Sequence, residues 1–341
     1  MKKLRYVPLL ILFVITSTWS FAQPDQIYQL IKGSKEDANY LVGGYVAPML
    51  NVLGNGLNQG WYNTAKPHKL VGFDLTVNIS PVYVPTSDYT YKVDNAKLAN
   101  LNHVDGTDKI TPTTADVPTI FGSSNAPTYN AKINGQAVPT PLTSFSGPPG
   151  LDLKGKYGVK ALPIPTANLS IGLPAGFDIK FRYVPTLDLG EQGKFGLLGI
   201  GLMHDIKQYI PGIKSLPFDL SVFAGYTKMT TDITFDASKN QTGKFDVTAT
   251  TLQALISKKI AVLTIYGGVG YNMAKSNFKA QGTYDLGNSV SITDPVDISA
   301  SSSGPRMTAG ARLRLAVFAF SADYTLQKYS ALTLGFGINV R

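Results

Sequence analysis

Few residues in this chain stand where catalysis would need them. There are three histidines, His68, His103 and His204, and no cysteine. None of the histidines belongs to an H-E-x-x-H spacing that would set two imidazoles on one helix face, so the sequence offers no zinc set. No G-x-S-x-G elbow occurs. His204 and Asp205 are adjacent and could supply the base and orienting carboxylate of a hydrolase, with a serine from a neighbouring strand. A triad is recognised by its geometry, however, and a polar pair at the rim of a sheet is the simpler reading. Gly267-Gly-Val-Gly270 is a weak phosphate loop, because it falls inside a strand pattern, where glycine marks a bend or close packing. The expectation is a protein with no catalytic residue, no cofactor and no metal.

The charged residues that do fall into a pattern lie on alternating strands. Val71, Phe73, Leu75, Val77 and Ile79 alternate with polar positions that include Asp74 and Asn78. Phe177, Ile179, Phe181 and Tyr183 alternate with Asp178, Lys180 and Arg182, and Met307 to Leu315 alternates with Arg312 and Arg314. Phe218 to Tyr226, Phe245 to Ala249 and Leu332 to Val340 repeat the period of two. Such alternation gives each strand a dry and a wet face. A soluble sandwich would share it, but these segments run to about ten residues, the length of a tilted membrane-crossing strand. Charge on the wet face suits a water-filled or plugged lumen. The fold expected is therefore all-β, a transmembrane antiparallel β-barrel. Asp74, Asn78, Asp178, Lys180, Arg182, Arg312 and Arg314 are its lumen-lining candidates. Both signs are present, so bracing of an internal segment is the first reading and a selective ring the second.

Two regions interrupt the strands. Ala38, Leu41, Val42, Tyr45, Val46, Met49, Leu50 and Leu53 recur at helical spacing, with Gly43, Gly44, Ala47, Asn51 and Asn55 opposite. Pro48 is expected to kink this helix and the run from Asn51 to Gly56 to end it. A helical, Gly- and Asn-rich segment ahead of the first strand can lie in the lumen, so residues 23–66 read as a plug with Gly43, Gly44, Pro48, Asn51 and Asn55 near the wall. Residues 81–165 are rich in proline and short of alternation and read as a long extracellular loop region. Within them Tyr89 to Val93 could extend a strand above the membrane. Between His204 and Pro217, Asp205 can cap a short helix that Pro211-Gly212 ends. Its apolar side, Ile206, Tyr209, Ile210, Ile213 and Leu216, could lie in the membrane interface, close the barrel mouth or merely connect. Strands fall near 70–80, 166–173, 177–185, 194–204, 217–229, 243–257, 261–273, 276–284, 306–315, 316–326 and 331–341. With one more hidden in 85–165 or 288–300, the expected count is about twelve, with ten to fourteen allowed.

The N-terminus carries Lys2, Lys3 and Arg5, an apolar run from Val7 to Ile15, and Ser20-Phe-Ala22 before Gln23, which is the pattern of a cleavable secretory leader over residues 1–22 with Ala22 and Gln23 at the cut. The run is too short to span a bilayer as a helix. The 319 residues that follow carry a formal +6, since three of the 31 basic residues leave with the leader. Lys and Arg are scattered, which argues against a nucleic-acid partner. Without cysteine the chain cannot be a lipoprotein, and its exported form must be held by something other than disulfides. The barrel would occupy residues 67–341 in a Gram-negative outer membrane, with outer-membrane lipids and the barrel-assembly machinery as partners.

The run Leu53-Gly-Asn-Gly-Leu-Asn-Gln-Gly60, and Leu162 to Pro174 leading into a strand, resemble FadL-like channels for hydrophobic compounds. His204 to Pro211, followed by Leu216 to Tyr226, is similar to an uncharacterised family of Bacteroidota outer-membrane barrels, over most of the chain. The first resemblance implies a plugged barrel that passes hydrophobic molecules; the second carries no activity. One departure is the C-terminus, Val340-Arg341, where many barrels end in an aromatic. Three functions follow in order: a channel or transporter for a small hydrophobic ligand, by a lateral or plug-gated route; a non-transporting barrel whose 81–165 region is a binding or assembly platform; and a membrane-embedded lipid hydrolase built on His204.

Overall fold

The computed structural model describes residues 30–340 apart from 32, 105–113, 134–135, 138–143, 189, 191–192 and 288–289. The proposed leader, with Ala22 and Gln23, lies outside the described residues. Ten antiparallel strands form a closed barrel. They are β1 (Phe73–Tyr83), β2 (Ala161–Leu173), β3 (Phe177–Asp188), β4 (Gly193–Asp205) and β5 (Asp219–Asp236), then β6 (Gln241–Ile260), β7 (Leu263–Gln281), β8 (Val296–Leu315), β9 (Phe318–Leu326) and β10 (Ala331–Val340). Each pairs with its neighbours in sequence, and β10 closes on β1 in register from Phe73↔Val340 to Val82↔Ala331. Closure gives every strand a partner on both sides, the condition for a sheet to span a bilayer.

Ten is the low end of the range the alternation allowed. The segment 276–284 is not a separate strand, because Leu263–Gln281 runs on as one of 19 residues. The extra strand sought in 85–165 does not join the barrel either. Thr90–Asp94 pairs with Thr114–Pro118 and Leu101–Val104 with Thr128–Ile133, outside the barrel sheet. The Tyr89–Val93 piece thus belongs to a folded cap over one end, not to an extended barrel strand. That end carries the 84–160 excursion, whereas Ala261-Val262 and Ala316-Val317 close tight hairpins at the other, with positive φ at Ala261 and Ala316. In outer-membrane barrels long connections face outward and short turns face the periplasm.

Along β7 the outward side chains Leu263, Ile265, Val269, Tyr271 and Met273 are exposed, and the outward positions above them are Lys275 and Asn277. Inward, Thr264, Asn272 and Ser276 give way to Phe278 and Ala280, both buried. β6 behaves likewise: Leu252 and Ile256 face out, while Val247 and Ala249, at 0% and 1% exposure, face in. The barrel is therefore inverted about its middle. The periplasmic part has an apolar outside and a mainly polar lumen with one small apolar cluster of Trp61, Met203, Phe223 and Leu255, and the outer part has a polar outside and an apolar core. Phe245, Val247 and Ala249 do not extend the lipid-facing row, because this upper wall surrounds protein instead of lying in lipid.

The filling is helix α1 (Lys35–Leu57). Ser34 caps it, its hydroxyl accepting the Asp37 N–H at 3.0 Å, and Glu36 and Asp37 lie in the positive first turn. Leu41, Val42, Tyr45 and Val46 enter one apolar core with Val247, Ala249, Phe278 and Val296. Each such side chain contributes about 1.5–3 kcal/mol when fully buried. The helix runs on through Pro48 and past the expected stop at Asn51–Gly56, as far as Leu57. Glycine and asparagine lower its intrinsic stability, and the wall makes up the difference as described next.

Candidate functional site

The plug is held along its whole length, from the outer end to the periplasmic mouth. Asp37 accepts N–H bonds from Ala99 at 2.6 Å and Asn100 at 2.8 Å in the cap, and the Tyr45 hydroxyl donates to the Pro149 carbonyl at 2.9 Å. Further in, Asn51 donates to the Tyr329 hydroxyl and Asn55 to the Ser302 hydroxyl, each at 3.1 Å. Gly44 lies under the Tyr91 ring with no room for a Cβ, Gly43 has space beside Ile298, and Pro48 is buried.

The helix end is the most heavily engaged point. No basic residue stands in the last turn of α1. The wall supplies two. Arg182 donates to the Leu57 carbonyl at 2.6 Å, to the Gln59 carbonyl and to Asn168 Oδ1 at 2.5 Å, and its guanidinium lies 3.7 Å from the Trp61 ring centre. Arg306 donates to the Asn58 carbonyl at 2.9 Å and to Gln59 Oε1 at 3.1 Å. Two buried cations thus meet the negative end of a helix dipole and the carbonyls that the helix leaves unpaired.

Below the helix, residues 58–68 fill the polar lumen. Tyr62 donates to Gln253 Oε1 at 2.5 Å, Ser257 Oγ accepts the Ala65 N–H at 3.1 Å, and Ser221 donates to the Ala65 carbonyl at 2.6 Å. His68 closes the mouth. Its Nδ1 is 2.6 Å from Asp178, its Nε2 is 3.4 Å from Asp74, and Asn339 lies 2.8 Å from Nε2. Burial by itself would lower the imidazole pKa, but hydrogen bonds to the two carboxylates outweigh it and the net direction is upward. The gap enclosed by Trp61, His68, Asp74, Asn168, Asp178, Lys180 and their neighbours is about 10 Å³, room for roughly one water.

Asp74, Asn78, Asp178, Lys180, Arg182 and Arg312 all face inward and are buried. Asn78 donates to the Gly60 carbonyl at 3.1 Å and Lys180 to Ser170 Oγ at 3.0 Å. Arg314 is apart from this group, at the rim, donating to the Ala316 carbonyl at 3.1 Å. Arg306 and Asp323 went unread in the sequence, although alternation could have found both: Arg306 shares the parity of Arg312, and Asp323 that of Ser321 and Thr325. Asp323 accepts the Tyr266 hydroxyl at 2.8 Å. The histidines do not converge. His103 packs edge-on to Tyr129 in the cap, and His204 Nε2 meets the Tyr209 hydroxyl at 3.2 Å, not a serine. Among the described residues no group of three or more His, Asp or Glu side chains could hold a metal ion.

The wall has one weak seam. β2 and β3 pair over only Leu169↔Phe181 to Leu173↔Phe177, whereas β2 and β1 pair from Phe73↔Ile171 to Tyr83↔Ala161. Gly172 exchanges backbone bonds with the β1 side through Val71 and Gly72. Alternation then turns the backbone groups of 163, 165 and 167 toward β3, and those of 183 and 185 toward β2. Pro163, Pro165 and Pro185 have no N–H to give there. A register shift between Phe195 and Leu197 bends the β3–β4 ladder opposite the same stretch. Outward neighbours at this level, Val77 and Ile79 on β1 and Tyr183 on β3, are exposed apolar residues of the lipid-facing belt. Immediately inside are Arg182, bonded across the seam to Asn168, and the Trp61 ring. A second space, about 410 Å³, opens near the cap between Asn39, Tyr40, Gly43, Gly44 and Ala47 of α1, Tyr91, and Ile298 to Ala300 of β8.

Residues 1–340 match the model of a family described as of unknown function, DUF6588. The chain belongs to that family. No curated protein matches it. Among solved structures it is similar to Ail, the attachment invasion locus protein of Yersinia pestis, at 9% identity over 80% of this chain and 99% of that one, with a TM-score of 0.29. The translocator domain of the autotransporter NalP from Neisseria meningitidis gives 10% identity, 86% and 93% coverage and a TM-score of 0.28. The P. putida toluene transporter TodX gives 10%, 79% and 67%, with a TM-score of 0.22. All three are outer-membrane β-barrels. The closed ladder and its apolar belt establish the outer-membrane type of fold.

Proposed function

We propose that this chain sits in a Gram-negative outer membrane, after export by its leader and insertion by the barrel-assembly machinery, and passes small apolar molecules sideways through the seam between β2 and β3. The seam is the observation that carries the reading. Unpaired backbone facing lipid costs several kcal/mol per group, and three prolines remove donors from the stretch where pairing stops. Such a stretch can part at low cost, while the plug keeps the axial route closed to water and ions. The space of about 410 Å³ near the cap, between α1, Tyr91 and β8, is within the size range of small-ligand pockets.

The chain has no cysteine, so the test is direct. Ala167→Cys with Tyr183→Cys, bridged by a disulfide or a short bis-maleimide, closes the seam. Entry of an apolar dye such as N-phenylnaphthylamine into whole cells should fall to the rate of cells without the protein, and reductant should restore it in the disulfide form. Entry at the full rate through the bridged protein would sink the proposal.

The cap favours a second reading, a non-transporting platform. Residues 84–160 carry paired strands of their own and dock on α1 through Asp37 and Tyr45, as a rigid binding surface would. Under that reading the bridged and unbridged proteins admit the dye equally slowly. His204, which stacks on Phe177, lends a hydrolase no support.

A further inference from the structure

The connection between β4 and β5, residues 206–218, is 13 residues long, at the end of the barrel where the hairpins after Ile260 and Leu315 need only two. It exposes Tyr209 by 64%, Ile210 by 38% and Leu216 by 43%. Aqueous loops seldom hold three large apolar side chains out together.

Its contacts say which way it lies. His204 follows Leu198, Ile200 and Leu202 on the outward parity of β4, while Met203 between them is buried. The His204 ring stacks on Phe177, the outward residue that opens β3, at 3.8 Å between centroids, and the Tyr209 hydroxyl meets His204 Nε2 at 3.2 Å. Gln208 donates to the Ala175 carbonyl of the adjacent hairpin at 3.1 Å. The loop thus folds against the outer wall of the barrel. It does not cover the mouth, which His68, Asp74, Asp178 and Asn339 already close. Lys207 is tied to the Phe218 carbonyl at 2.7 Å, 5.1 Å from that ring, and Lys214 is exposed beside Leu216.

We infer that residues 206–218 form an interfacial anchor, seated on the periplasmic surface of the bilayer, with Tyr209, Ile210, Ile213 and Leu216 among the upper acyl chains and Lys214 at the lipid phosphates. Two observations carry this. The patch is continuous with the barrel's lipid-facing belt through His204 and Phe177, and it combines apolar and cationic side chains as interfacial segments do. The anchor fixes the depth of the barrel in the membrane, independently of any passage through the seam.

The test uses single-cysteine variants of the full chain in phosphatidylethanolamine–phosphatidylglycerol vesicles. Leu216→Cys is labelled with an environment-sensitive dye, with Leu252→Cys as a belt control and Ser238→Cys as an aqueous loop control. Phospholipid carrying a nitroxide near the headgroup should quench residue 216 about threefold or more above residue 238, and iodide on both sides should quench it less. Ile213→Cys, which also leaves Tyr209 in place, serves if the first variant misfolds. Iodide quenching equal to that at residue 238, with no response to the lipid nitroxide, would overturn the inference.

Discussion

Replacing Arg182 by methionine should unlatch the plug while leaving the barrel closed as a sheet. Arg182 is 0% exposed and serves the Leu57 and Gln59 carbonyls at the helix end. Leaving those two buried acceptors unpaired costs about 1–3 kcal/mol each. Losing the stack on Trp61 costs a further 1–2 kcal/mol, roughly. Against this, the variant no longer has to desolvate a guanidinium, a saving of several kcal/mol, and its repulsion with Arg306 disappears. The net loss of plug docking should be about 2–4 kcal/mol, toward the lower part of the 3–5 kcal/mol usual when one partner of a buried charged set is removed. That raises the population of the displaced plug by roughly thirty- to a thousandfold. Single-channel recording in a planar bilayer reads this as frequent openings over a silent wild-type baseline. Arg182→Lys keeps the charge without the fork and should fall between. A folded Arg182→Met barrel, confirmed by its heat-modifiable gel mobility, that stays as silent as wild type would refute the argument that the wall caps the helix.

Two further outcomes follow from the same geometry. Asp178 and Asp74 favour the charged form of His68, and its pKa is raised on folding. Its contribution is therefore complete below the ordinary imidazole value near pH 6.5 and is lost as pH rises through the raised folded value. Melting temperature should fall as pH rises through that window in the wild type and stay flat for this component in His68→Gln. Gly43 and Gly44 separate room from contact: a Cβ at Gly44 overlaps the Tyr91 ring, whereas one at Gly43 meets only Ile298 Cγ2 at 3.5 Å. Thermal unfolding should find Gly44→Ala destabilised by about 1–3 kcal/mol and Gly43→Ala neutral or stabilised by about 0.4–1 kcal/mol.

Local pattern carried much of the fold because a membrane strand is specified residue by residue. Phe73 to Val77 and Leu332 to Val340 must alternate if one face meets lipid and the other the lumen, and alternation is visible without knowing any partner. For the same reason it indicated that Asp74, Asp178, Lys180 and Arg182 share an inward face. It misplaced Phe245, Val247 and Ala249, since an apolar row looks alike whether it touches lipid or a protein core. The helix end was misjudged too: Asn51 to Gly56 has the composition of a stop, and contacts distant in sequence, Asn51 with Tyr329, Asn55 with Ser302 and Arg182 with the Leu57 carbonyl, carry the helix past it.

By itself, then, the order of residues determined that this chain forms lipid-facing strands, a lumen of mixed charge and a helix ahead of the first strand. Tertiary structure decided how many strands close the barrel, that Thr90–Asp94 joins the cap and not the wall, and that β2 and β3 stop pairing at Leu169↔Phe181, short of Pro163, Pro165 and Pro185. The physical reason is range. Alternation is a property of neighbours along one strand, whereas closure, capping of the helix end and the seam depend on which backbone groups from remote segments face each other.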